Sequence, residues 1–121
     1  MQLQLDLDRY DQLQALFIGE VIDRVRLKLE ETGLTGLELE HLTGRIAFSI
    51  ASALDDMADI EAGGVEVHPY LTFRDEADNL VHSGENPYTY EFVRGALKER
   101  FDVEGDGDFR PSLAGTTGPC G

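Results

Sequence analysis

Between Val65 and Arg74, the residues with the most chemical potential fall at every second position: Glu66, His68, Tyr70, Thr72 and Arg74. Alternate side chains of an extended chain share one face, so these five are expected to line one side of a strand. His82, in the segment Leu80-Val81-His82, joins that side if the chain doubles back between Asp75 and Asn79. An imidazole, a carboxylate, a phenol and a guanidinium on one surface suit either acid–base chemistry near neutral pH or contact with a partner. Flatness weighs against the first. A reactive group needs a concave, water-poor setting to perturb its pKa, and two strands alone do not make one.

Two other groups have the spacing of metal ligands. Glu38 and His41 form Glu-x-x-His, which places both side chains on one helix face as in di-iron bundles. Such a centre needs a second copy of the motif, and Glu20 from another helix does not replace it. Glutamate at a helix start is already explained by the helix dipole. Asp102, Glu104, Asp106 and Asp108, with Gly107, match the opening of an EF-hand calcium loop. The match stops at position twelve, where Leu113 stands in place of a bidentate glutamate. No metal or other cofactor is therefore expected. Phosphate-cradling glycine loops, a nucleophile elbow and paired cysteines do not occur in the sequence. In Gly84-Glu85-Asn86, before an expected helix, Glu85 would repel a phosphate.

The elements that must hold these residues follow from periodicity. Leu3, Leu5 and Leu7 alternate with Gln2, Gln4 and Asp6, which predicts a short half-buried strand. Asp8 then stands as an N-cap before a helix with Tyr10, Leu13, Phe17, Val21 and Val25 on its inner stripe. Leu16, Ile18, Ile22 and Leu29 widen that stripe. Val25 to Glu30 also alternates as a strand would, but its residues are good helix formers and favour helix. Gly33 is placed to end the helix, and Thr35 with Glu38 forms a capping box for the next one. That second helix turns Leu39, Leu42, Ile46, Ile50, Leu54 and Met57 inward. Its small residues, Gly44, Ala47, Ser49, Ala51, Ser52 and Ala53, permit close approach of another backbone.

Gly63-Gly64 breaks the helix and the 65–74 strand follows, with Pro69 implying an edge or a bulge. Asn86-Pro87 predicts a last helix carrying Phe92, Val93, Ala96, Leu97 and Phe101 inward. Beyond residue 103 glycine and acidic residues replace any period, which predicts a flexible tail over 104–121. The expectation is one α+β domain over 1–103, ordered β-α-α-β-β-α. A small, largely antiparallel sheet packs against a helical hairpin and a C-terminal helix.

Charge narrows the function. Twenty-four acidic residues stand against 10 Lys and Arg, a net charge of -14 that repels nucleic acid and anionic membranes and attracts basic surfaces. With 121 residues and 41% apolar side chains the chain closes one core without disulfides, and its single Cys120 forms none internally. No apolar run reaches the ~20 residues that cross a bilayer, and the first residues lack the pattern of a secretory signal. A cytoplasmic protein is expected. The leading expectation is a non-enzymatic protein that binds and inhibits a basic protein partner, a class that includes proteins acting on nucleic acid. Immunity proteins, antitoxins and inhibitors that imitate DNA share this size and charge, an analogy and not a kinship. The expected contact residues are Glu66, His68, Tyr70, Thr72, Arg74, His82, Glu85 and Tyr88, with the tyrosines, Tyr90 among them, as anchors. Two alternatives stand beside it. One is a small enzyme or ligand-binding domain built on His68, His82, Tyr70 and Arg74. The other is a homodimeric structural subunit joined through the Ala- and Ser-rich second helix.

Overall fold

The computed structural model describes residues 1–101. Strand β1 (Leu3–Leu5) leads into helices α1 (Leu7–Glu31) and α2 (Gly36–Leu54). A minimal hairpin follows, β2 (Glu61–Ala62) and β3 (Val65–Glu66), then β4 (Phe73–Arg74), β5 (Leu80–His82) and α3 (Tyr90–Phe101). The expected α+β class is present, with two more strands than expected: β2 is additional, and the single strand expected over 65–74 is divided into β3 and β4. The expected tail, the calcium-loop-like segment and Cys120 lie outside the described residues.

The three helices share one core of Ile18, Ile22, Ala47, Ala51, Val93 and Ala96, flanked by Phe17, Tyr90, Phe92 and Leu97. In α2 the small stripe is the buried one: Leu39, Thr43, Gly44, Ala47 and Ala51 face inward. Leu42, Ile46, Ile50 and Leu54 are only half-buried. Close approach explains the choice. A Cβ at Gly44 would stand 2.9 Å from Leu97 Cδ1, so α3 sits where a larger residue would push it away. Met57, expected inward, is exposed, because α2 ends at Leu54 and the chain turns through Asp56 at φ 61°. The alternating stretch from Val25 to Glu30 is helical. Arg26 within it is half-buried, its long side chain lying over the Phe101 ring at 4.5 Å and donating to the Arg100 carbonyl at 2.9 Å.

Helix starts differ from the expectation in three places. Asp6, not Asp8, caps α1, its Oδ1 accepting the Arg9 N–H at 3.1 Å, while Asp8 lies in the first turn. Thr35 is the N-cap of α2, but its hydroxyl makes no capping bond. Gly36 enters the helix at φ 64°, a path that the reciprocal capping geometry does not share. Finally, α3 begins at Tyr90, and Asn86-Pro87 belongs to the connection before it, with Pro87 buried.

The largest correction concerns the strand expected over 65–74. It is interrupted: β3 ends at Glu66 and β4 starts at Phe73. Gly63 and Gly64, at φ 59° and 82°, fold β3 back on β2 with Glu61 opposite Glu66. Pro69, which has no N–H to give a ladder, lies in the gap. The main sheet is mixed, in the order β1-β5-β4, with β5 parallel to β1 and antiparallel to β4. Val81 is buried, and its cross-strand partner Phe73 meets the rings of Tyr10 and Phe17 at 5.5 and 6.0 Å, so this face packs on α1. The opposite face carries Leu3, Leu80 and Arg74 in one row and Leu5 and His82 in the next.

Candidate functional site

Interrupting the strand distributes the eight expected contact residues over several places. His68 lies in the gap, between two carboxylates. Its Nδ1 is 2.9 and 3.2 Å from the Asp56 oxygens, and its Nε2 is 3.2 Å from Glu66 Oε1. The bond to Asp56, then that to Glu66, raises the imidazole above its ordinary pKa of 6.5. A protonated ring gives a donor to each partner, which ties the β2–β3 hairpin to the end of α2.

Tyr70 and His82 form a second group. The phenol oxygen is 3.2 Å from His82 Nδ1, and the rings stand edge to face with centroids 6.4 Å apart. His82 is paired with Leu5 across the sheet, on the face turned away from the helices. That face is open. Leu3 is 63% exposed, Leu5 67% and Tyr70 47%. Leu5 lies against the next loop, where a Cβ on Gly84 would meet Leu5 Cδ1 at 3.2 Å. Among the described residues no hydrogen bond joins the Tyr70–His82 pair to the His68 group.

The remaining four have other surroundings. Arg74 is paired with Asp78 at 3.2 Å within the β4–β5 turn. Thr72 is half-buried, next to Leu71, whose carbonyl accepts the Tyr10 hydroxyl at 2.5 Å. Burial drives that Tyr10 phenol far above its ordinary pKa. Glu85 is exposed in a turn in which its own carbonyl accepts the Ser83 hydroxyl at 3.2 Å. Tyr88 faces inward as a latch: it donates its hydroxyl to Asp11 and its N–H to Gln14 Oε1 at 2.8 Å, and its ring stacks on Phe92. The bond to Asp11, helped by burial, pushes the Tyr88 phenol up to about 12. Tyr90 flanks the helical core.

Sequence reasoning passed over the two acids that organise this end of the molecule. Asp55, 2% exposed, accepts the N–H groups of Thr89 at 3.0 Å and Tyr90 at 2.9 Å, and the Thr89 hydroxyl at 2.7 Å. It caps α3 from the end of α2. Asp56 holds His68. The signal was present: the C-terminal end of a helix disfavours negative charge, so adjacent aspartates there call for partners elsewhere.

Two clefts lie on the helical side. One of about 480 Å³, between α2 and α3, is lined by His41, Arg45, Phe48 and Leu97. Another, between α1 and α3, is lined by Leu16, Gly19, Phe92 and Gly95. None of the eight expected contact residues lines either. Glu38 and His41 are exposed near the start of α2, and among the described residues no three His, Cys, Asp or Glu side chains converge to hold a metal ion. No described helix is long and apolar enough to cross a membrane. The chain matches no protein-family model, no curated protein and no solved structure.

Proposed function

We propose that this chain is a non-enzymatic interaction protein that binds, and by binding inhibits, a basic protein partner through the uncovered face of its main sheet. The observation that carries this reading is the exposure of Leu3, Leu5 and Tyr70 together on one side of a sheet whose other side is packed on α1. Clustered apolar side chains left in water on a sheet face mark a contact surface. The net charge of -14 selects the partner by sign, steering encounter with a Lys- and Arg-rich surface and opposing nucleic acid and anionic lipid. Tyr70 supplies an aromatic anchor, and its hydrogen bond to His82 fixes the ring before contact. Binding of this kind suits an immunity protein, an antitoxin or an imitator of DNA, whose targets are basic enzymes.

What supports this reading over a small enzyme built on His68, His82, Tyr70 and Arg74 is that His68 bonds to Asp56 and Glu66, Tyr70 to His82, and Arg74 to Asp78, with no hydrogen bond among the described residues linking the three groups. The test is kinetic. With the purified partner, the association rate falls steeply as salt rises and the complex contains one copy of each chain. A rate indifferent to salt, or a target without excess positive charge, contradicts the proposal.

A further inference from the structure

The contact surface described above ends in an open strand edge. In the order β1-β5-β4, β1 pairs with β5 on one side and, among the described residues, with no strand on the other. The bonds to β5 come from the even-numbered residues: the Leu80 N–H donates to the Gln2 carbonyl at 2.7 Å, and the Asp6 N–H donates to the His82 carbonyl at 3.1 Å. Backbone groups alternate in direction along a strand, so the N–H and C=O of Leu3 and Leu5 point away from the sheet. Natural edges are usually blunted by lysine, proline, a bulge or a covering element. Here the edge residues are leucines, 63% and 67% exposed, with Met1 and Leu7 also exposed beside them.

We propose, resting on the interaction reading, that β1 captures its partner by strand addition: an extended segment with alternating apolar and basic residues pairs along Leu3–Leu5. Backbone pairing supplies affinity, and the leucines with Tyr70 receive the apolar side chains. Charge selects the basic residues. Asp8, in the first turn after β1, and Glu85, next to the Gly84 that approaches Leu5, are exposed carboxylates near this edge in the chain, and neither has an ion-pair partner among the described residues. A second copy is a poorer occupant, since it brings another net charge of -14 to the same edge.

The probe is a synthetic nine-residue peptide of alternating valine and lysine, compared with the same peptide methylated on alternate backbone nitrogens. Methylation removes strand donors and leaves the charge unchanged. Strand addition predicts that the unmethylated peptide binds at least about tenfold tighter and slows hydrogen exchange at the Leu3 and Leu5 amides. The Leu3→Pro variant removes an outward N–H that serves no bond within the sheet, so it keeps the fold and loses that difference. Equal binding of the two peptides overturns strand addition while leaving the wider docking reading intact. Protection of Leu3 and Leu5 that grows with protein concentration alone, or binding that leaves both amides unprotected, also overturns it. Loss of binding by the glutamate analogue of the peptide in both backbone forms separates charge selection from backbone pairing.

Discussion

Asp55 stands one residue past the end of α2, and its buried carboxylate accepts both the N–H and the hydroxyl of Thr89, at 3.0 and 2.7 Å. With the Tyr90 N–H at 2.9 Å, one side chain satisfies the first free amides of α3 from 35 positions away in sequence. The loop carrying Ser83, Glu85 and Pro87 is thereby closed on a fixed point. Asp55→Ala leaves these donors buried and unpaired, which costs about 3 kcal/mol in urea unfolding. Asp55→Asn costs less, because its amide oxygen still accepts from Thr89. A change below the error of the measurement for the alanine variant would remove Asp55 from this role.

Two glycines on facing helices separate a packing requirement from a simple cost. At Gly44 a side chain collides with Leu97, so Gly44→Val destabilises the fold by about 1–3 kcal/mol. At Gly95, in the middle of α3, an added Cβ meets nothing within 4 Å. Gly95→Ala therefore stabilises by up to about 1 kcal/mol through helix propensity alone. Thermal unfolding of both variants checks the pair, and equal signs would contradict the packing described.

His68 gives the molecule a pH dependence of known sign. Its pKa is raised in the folded chain, first by Asp56 and then by Glu66. The stabilisation it brings is complete below the ordinary value of 6.5 and is lost as pH rises through the higher folded value. The ring is exposed, so the effect on stability is small and is best read directly. Proton NMR of the His68 ring is expected to give a midpoint above the ordinary value, and one closer to that value in Asp56→Asn. A midpoint in the variant equal to that of wild type would mean that Asp56 does not hold the ring.

Tyr88 should ionise near pH 12, because ionisation would place its phenolate against Asp11. As with His68, the protonated form is the one the fold favours, so this stabilisation is present below the ordinary value of 10.0 and is lost as pH rises through about 12. Absorbance titration of wild type against Tyr88→Phe isolates the transition. A transition that disappears from the region near pH 10 in the variant would contradict the latch.

Much of the fold was legible from local pattern. The 25-residue α1 and the 12-residue α3 follow from apolar spacing, and Gly33 at φ 96° ends α1 where a left-handed residue was expected. What pattern could not show was set by contacts distant in sequence. The alternation from Val65 to Arg74 looks like one strand because period two records only side-chain type. The break at Pro69 depends on where partners lie: among the described residues, β3 pairs with β2, β4 pairs with β5, and the stretch between them pairs with neither. Likewise, Leu3 and Leu5 were expected to be half-buried, because alternation identifies a face without saying whether anything covers it. The candidate surface was therefore half legible: Tyr70 and His82 were placed together in advance, but the leucines beside them were not.

The central claim, that the uncovered sheet face binds a basic protein, is tested most directly by paired capture from extract of the native host. Wild-type chain and a Leu5→Ser/Tyr70→Ala variant of equal thermal stability serve as bait. The account predicts that the wild-type chain retains a basic protein in stoichiometric amount, released by salt, and that the variant does not. Equal retention of that protein by both baits, or retention of no basic protein by either, would contradict it.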